Sequence, residues 1–166
     1  MQYRRSCTPG GTYFFTVVTH ERRPWLQEPL SIQTLGHAMR QVREQRPFEN
    51  LAMVLMPDHL HCIWRLPEDD ADFSTRWMLI KQAVTHRLRG RIGVKHLWQN
   101  RFWEHTLRDD ADVAQHTHYI HFNPVKHGHV AHVRDWPYST FHRYVKNGVY
   151  PPDWGTAPGV LPGVRE

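Results

Sequence analysis

Between Met56 and Leu66 the chain reads Met-Pro-Asp-His-Leu-His-Cys-Ile-Trp-Arg-Leu. Pro57-Asp58 makes a tight turn, and the residues after it alternate strictly. His59, His61, Ile63 and Arg65 fall on one side; Leu60, Cys62, Trp64 and Leu66 fall on the other. A period of two marks a half-buried β-strand. The Leu/Cys/Trp/Leu side faces a core, so the imidazoles of His59 and His61 project from the opposite face of the sheet. Side chains two apart on a strand stand close enough to hold one cation between them. With 14 histidines in 166 residues, such a pair can arise by chance. It becomes a metal site only if another part of the chain supplies a further ligand and a reactive group.

The flanking segments follow from periodicity. Thr12 to Thr19, aromatic and β-branched, predicts a strand. From Ser31 the apolar residues Ile32, Leu35, Met39 and Val42 recur at helical steps. A helix is therefore predicted to Gln45, with Ser31 as N-cap and Pro47 beyond its end. Leu51 to Met56 reads as a buried strand that forms a hairpin with the histidine strand. Phe73, Trp77, Ile80, Val84 and Leu88 predict a second helix ending near Gly90, with Arg76, Lys81, His86 and Arg87 on its solvated face.

Lys95 to Leu107 contains a further strand, with Trp98, Phe102 and Trp103 as packing residues. Asp109-Asp110 opens a third helix, since carboxylates favour a helix N-terminus. Pro124 should stop it near Phe122. A turn at Gly128 and short helical pieces around Trp136-Pro137-Tyr138-Ser139 follow. The order β-α-β-β-α-β-α matches the ferredoxin-like (split βαβ) plan. The fold class expected is α+β, a single domain over 1–146 with an antiparallel sheet and its helices packed on one face. Residues 147–166, rich in Pro and Gly, form an extended or disordered tail.

Charge narrows the partners. Lys and Arg total 21 against 16 Asp and Glu, a net charge of +5 with neutral histidines, which suits a polyanion. Acid would charge the histidines and strengthen that attraction. Cys7 and Cys62 make neither a disulfide framework nor a Cys-rich zinc site. The apolar run Leu51 to Met56 is far too short to span a bilayer. A cytoplasmic protein is expected.

The predicted third helix carries a second constellation. His116, Tyr119 and Asn123, at steps of three and four, share one helix face. A divalent ion held by two imidazoles polarises a phosphoryl oxygen, and an activated tyrosine can attack it. The Asn123 carbonyl, one turn beyond Tyr119, offers a third ligand. On a basic protein the matching substrate is a phosphodiester of DNA or RNA.

These residues resemble a known family. His59-Leu60-His61 is similar to the HUH motif, two histidines flanking a hydrophobic residue. His118-Tyr119-Ile120-His121-Phe122-Asn123-Pro124-Val125-Lys126-His127-Gly128 resembles the tyrosine segment of the REP-associated tyrosine transposases, relatives of the single-tyrosine HUH transposases. Gly-Gly-Thr-Tyr-Phe-Phe-Thr at 10–16, Trp-Gln-Asn-Arg-Phe-Trp-Glu-His at 98–105 and Trp-Pro-Tyr-Ser at 136–139 extend the likeness over nearly the whole chain.

The resemblance implies a metal-dependent single-strand DNA endonuclease and strand transferase. His59 and His61 would hold Mg²⁺ or Mn²⁺, with Asn123 where many relatives carry Gln. Tyr119 would attack the scissile phosphate, leaving a 5′-phosphotyrosine and a free 3′-hydroxyl. The ion is inferred from the family, since imidazole by itself favours later transition metals. The implied substrate is an extragenic palindrome folded into a hairpin beside a short single strand. Arg4, Arg5, Arg22, Arg23, Lys81, Arg87, Arg101 and Lys126 are the candidate DNA contacts, chosen by charge and expected exposure. Trp98 and Trp103 are expected in the core, and a monomer is expected.

Two other readings fit parts of the same pattern. One is a non-catalytic ferredoxin-like nucleic-acid-binding module, which would present aromatics where this strand presents His59 and His61. The other is a metal-dependent hydrolase that activates water in place of Tyr119.

Overall fold

The computed structural model describes residues 7–156; Arg4 and Arg5 lie outside the described residues. Four strands, β1 (Thr12–Val18), β2 (Glu49–Leu55), β3 (His59–Arg65) and β4 (Trp103–Leu107), form one sheet in the order β2-β3-β1-β4. Every neighbouring pair is antiparallel. Helices α1 (Pro29–Gln45) and α2 (Phe73–Leu88) connect them in the split βαβ manner, and α3 (Asp110–Lys126) and α4 (Phe141–Lys146) follow. The ferredoxin-like α+β expectation holds.

The alternation in β3 divides two cores. Leu60, Cys62 and Trp64 join Tyr13, Phe15 and Val17 beneath α1 and α2. Trp64 lies in an aromatic stack, 4.3 Å from Trp77 and 4.1 Å from Phe48 between ring centroids. The opposite face is not open. Phe14, Ala52, Val54 and Ile63 pack against Tyr119 and Ile120 of α3. The one-face arrangement therefore describes α1 and α2 only. Helix α3 crosses the other face because that face, too, carries large apolar groups that need cover.

Several local expectations change. Helix α1 begins at Pro29, whose fixed φ suits the first helical position, so Ser31 sits one turn in and is buried. Helix α3 is capped as expected, the Asp109 carboxylate accepting from Asp112 N–H at 2.8 Å. It does not stop before Pro124 but runs to Lys126, because a proline in a final turn removes only one ladder bond. Trp98 is buried, edge-on to Trp25, whereas Trp103 is 42% exposed on the edge strand β4. Segment 136–140 lies along the free edge of β2, with Leu55 N–H donating to Tyr138 O and Thr140 N–H to Met53 O, each at 2.9 Å. That contact covers an edge otherwise open to pairing with other chains.

Arg76 is not on a solvated face. It is fully buried, with Nη2 2.7 Å from the Asp70 carboxylate and 2.8 Å from Pro47 O, Nη1 2.8 Å from Asp72 O and Nε 3.1 Å from Arg46 O. One guanidinium thus ties the end of α1 to the start of α2. Within the tail, Tyr150 and Trp154 stack at 4.5 Å and pack beside Phe141. His121 joins this cluster to α3, Nε2 lying 2.7 Å from Thr140 Oγ1 and Nδ1 3.1 Å from Tyr150 Oη.

Two stability predictions follow from these buried groups. Arg76→Met strands Asp70 and three carbonyls, and is expected to cost about 3–5 kcal/mol and lower Tm by roughly 10 °C in thermal unfolding. Arg76→Lys should recover little, since an ammonium lacks the planar fork. Burial first, then the nearby His118, Arg143 and His142, lowers the His121 pKa to about 3. The unfolded chain therefore takes up a proton below about 6.5 that the folded protein refuses until far lower pH. Stability is full above that value and falls by about 1.4 kcal/mol per pH unit as pH drops through the window. In urea melts between pH 6 and 4, His121→Gln should show a slope shallower by about that amount.

Candidate active site

The helix α3 lies over the face of β3 that presents the two imidazoles, so both are buried between sheet and helix. His59 and His61 stand 4.8 Å apart between ring centroids, as residues two apart on a strand should. Each is oriented through Nδ1. His59 Nδ1–H donates to Asp58 Oδ1 at 2.6 Å, and His61 Nδ1 shares a 2.8 Å hydrogen bond with Thr16 Oγ1 on β1. Outer partners of this kind fix the ring plane and tautomer of a ligating histidine.

Electrostatics favours a neutral His61 ring. Burial pushes the His61 pKa well below its usual value, and the neighbouring His59, His127, Lys126 and Arg22 add to the effect. His116, His118, His121 and His127 are lowered as well, burial first in each case. Mild acid therefore charges these five histidines less readily than composition alone implies. Burial opposes ionisation of Asp58. The hydrogen bond from His59 and the Arg22 guanidinium at 3.3 Å outweigh it, and the carboxyl lies below its usual range.

Tyr119 is delivered to this pair by α3. Its ring lies 5.5 Å from that of His61 and 6.1 Å from Phe14, and it is 4% exposed. Lys126, two turns on, donates to the phenol oxygen at 3.2 Å with its ammonium 4.6 Å from the ring centroid. Asn123, one turn beyond Tyr119 on the same face, is fully buried, and neither Oδ1 nor Nδ2 has a hydrogen-bond partner. A buried amide left without partners is costly. Two imidazoles oriented by outer partners and one unsatisfied amide oxygen are a donor set that fits a divalent ion.

His116 shares the helix face but turns to a different group. Its Nδ1 lies 2.8 Å from Asp112 O and 3.2 Å from Asp112 Oδ1, and its ring stacks on His105 of β4 at 5.3 Å. His105, Asp112 and His116 could also hold a metal ion, their ligand atoms lying within 4.8 Å of one another. The 2.8 Å bond to a carbonyl makes His116 Nδ1 a donor, so the geometry favours an anchor between β4 and α3. The i,i+4 spacing of Asp112 and His116 was the sequence signal for it. His127, whose ring lies 5.4 Å from His59, is a site residue that reasoning from the sequence did not single out.

The basic candidates divide. Arg22 and Lys126 flank the histidine pair, and Arg23 lies on the Arg22 loop, paired with Glu21 at 3.2 Å. Glu21 and Arg22 both adopt φ of 53°, a left-handed conformation uncommon outside glycine. Lys81 and Arg87 are on α2, across the sheet, with Lys81 Nζ donating to Gln99 O at 3.0 Å. Arg101 is exposed just before β4.

A ferredoxin-like sheet that sets paired imidazoles against a helix tyrosine is the arrangement expected of an HUH-type tyrosine enzyme. A match to the family described as "Transposase IS200 like" spans residues 7–123. The chain is 52% identical over 153 residues to a REP-associated tyrosine transposase of Escherichia coli (strain K12), covering 92% of this chain and 90% of that one. A solved structure of a REP-associated tyrosine transposase bound to a REP hairpin aligns with a TM-score of 0.86 at 47% identity, covering 100% of this chain and 98% of that chain. The chain belongs to the IS200-like transposases and, within them, to the REP-associated tyrosine transposases. It is a transposase of the tyrosine class, and membership implies use of a divalent metal. Among the described residues no helix is long and apolar enough to cross a membrane.

The Asp58 carboxylate should matter to metal affinity although it is not among the candidate ligands. In Asp58→Ala, Mn²⁺ affinity measured by EPR titration is expected to fall about 10–100-fold with circular dichroism unchanged. An unaltered affinity would place the ion elsewhere.

Proposed function

We propose that this chain cleaves and rejoins single-stranded DNA at hairpin-forming repetitive extragenic palindromes, with Tyr119 as nucleophile. The observation that carries the reading is the Tyr119 ring 5.5 Å from His61, with the Lys126 ammonium on its phenol oxygen. The relative bound to a REP hairpin supports the choice of DNA.

The metal site in this reading is His59, His61 and Asn123. A bound Mg²⁺ or Mn²⁺ supplies charge neutralisation and polarisation at the scissile phosphoryl group. The chain's own residues do the rest. Asp58, accepting from Nδ1–H, holds His59 in the tautomer that leaves the Nε2 lone pair to ligate, and Thr16 orients the His61 ring. Lys126 stabilises negative charge on the phenol oxygen as its proton leaves and the Tyr119 O–P bond forms. The P–O3′ bond breaks, giving a 5′-phosphotyrosine and a 3′-oxygen that takes up a proton. In the second half a 3′-hydroxyl attacks the adduct, the Tyr119 O–P bond breaks, and the phenol regains its proton. One phosphoester replaces another at each step, so no nucleotide cofactor is consumed.

Arg22, Arg23 and Lys126 are the proposed DNA contacts beside the scissile phosphate. Lys81, Arg87 and Arg101 would be reached by a hairpin extending around the sheet, and Arg4 and Arg5 are proposed contacts by charge alone. We assign the catalytic domain to 1–146, with 147–166 as its tail, and place its action in the cytoplasm, where its DNA substrate would lie. Among the described residues the exposed large apolar side chains Met78, Trp103, Tyr138 and Val149 fall on separate stretches of the chain, which favours a monomer.

The test is Tyr119→Phe with an end-labelled REP hairpin and Mn²⁺. The covalent adduct and the nicked strand should fall by at least about 10³-fold while hairpin binding is kept. Unchanged cleavage would identify water as the nucleophile. Binding without cleavage by the unmodified protein would favour a recognition module.

A further inference from the structure

Two stretches have rings with no role in the chemistry above: His127-Gly128-His129 and Trp136-Pro137-Tyr138. The fold sets them as successive neighbours leading away from the histidine pair. From His59 the ring centroids run 5.4 Å to His127, 6.5 Å to His129, 5.4 Å to Trp136 and 6.0 Å to Tyr138. His127 and His129 are exposed, Trp136 is half-buried and Tyr138 is 40% exposed. The row therefore begins under α3 and emerges at the surface.

Its geometry is fixed by backbone. Gly128 takes φ of 73° at the end of α3, and His129 N–H returns to Pro124 O at 2.9 Å. This left-handed helix terminus sets the two imidazoles side by side. Trp136 is pinned by its indole N–H donating to Leu55 O at 3.0 Å, and its own carbonyl is 2.7 Å from His142 Nε2. Tyr138 is held by the 2.9 Å bond from Leu55 N–H to its carbonyl. These bonds fix where the rings leave the chain, and the pinned Trp136 ring loses little entropy when a ligand stacks on it.

We infer that this row is a stacking platform for the unpaired bases that flank the scissile phosphate. The inference rests on the reading of the chain as a strand transferase for hairpin DNA. Every base offers a π-face, so aromatic side chains hold single strands with little regard to sequence. The row's inner end is the histidine pair where a phosphate would bind, and Lys126 adds a cation beside it. A strand leaving that phosphate meets His127 first, then His129, Trp136 and Tyr138. Paired stem bases, stacked within the duplex, would have no use for it.

The experiment compares a REP hairpin bearing an unpaired flank with the same hairpin cut back to its stem. The flank carries 2-aminopurine at successive positions. His129→Ala and Tyr138→Ala should each weaken binding of the flanked hairpin about tenfold and leave the stem-only hairpin unchanged. Quenching of 2-aminopurine by the unmodified protein should be lost at one flank position in each variant. His129→Phe, which restores a ring, should recover affinity, a result that loss of charge or of fold would not give. Equal weakening of both DNAs, or of neither, overturns the platform. The Tyr119 adduct is scored in the same samples. Its absence from the unmodified protein would overturn the proposed chemistry, and the flank-dependent affinities would still decide the platform.

Discussion

The burial of β3 on both faces is the constraint on which the site depends. Leu60, Cys62 and Trp64 seat the strand against α1 and α2 through an aromatic stack. That contact fixes its rotation, and a period of two then leaves no choice about where His59 and His61 point. Helix α3 packs on the same face through Ile120 against Ile63 and Val54. The position of Tyr119 beside His61 is thus a by-product of apolar packing one residue away. Groups brought together in this way need no strain of their own at the ring pair. What strain there is lies outside it, at Glu21 and Arg22.

The same burial sets the chemistry of the donors. A charged imidazole in this interior would be opposed both by desolvation and by the surrounding cations, so His61 is held neutral with a lone pair to offer. Thr16 orients that ring, while Asp58, accepting from His59 Nδ1–H, leaves the lone pair of the neighbouring imidazole on Nε2. The unsatisfied amide of Asn123 is harder to account for without a ligand, because both of its polar atoms are fully buried in a helix that could have carried an aliphatic residue there. A divalent ion would satisfy its Oδ1.

Much of this was legible in the sequence because the relevant signals are local. Alternation in 59–66, helical spacing in 32–42 and 73–88, and the order of elements suffice for the sheet and its two crossover helices. The placement of α3 was not legible, since nothing in its period says which face of a sheet it will cover. Arg76 was misplaced for a related reason: its partners are Asp70 and backbone carbonyls at Arg46, Pro47 and Asp72, which no spacing rule brings together. Trp103 shows the reverse error, a large apolar residue left exposed because β4 is an edge strand. At the site, Tyr119, His59 and His61 were recognisable from their motifs. Asp58 and Thr16 were not, because a group that orients another side chain carries no sequence pattern of its own, and His127 was not, because only the fold brings its ring beside His59.

The proline in α3 ties these points together. Local rules place the helix end before Pro124, since the ring removes a hydrogen bond and crowds the residue ahead of it. Had the helix stopped there, Lys126 would not project from the turn beyond Asn123, and the phenol of Tyr119 would lose its cationic partner. His127 would likewise leave the side of His59, and the left-handed turn at Gly128 would have no helix to terminate. The extra turn is held instead by bonds closing its end, from His127 N–H to Asn123 O and from Gly128 N–H to Val125 O, each at 3.0 Å. Pairing of His129 N–H with Pro124 O at 2.9 Å completes the closure. The chain therefore tolerates a locally unfavourable residue to carry its helix a second turn past the tyrosine, and the groups gained by that turn are the ones that surround the phenol and the histidine pair.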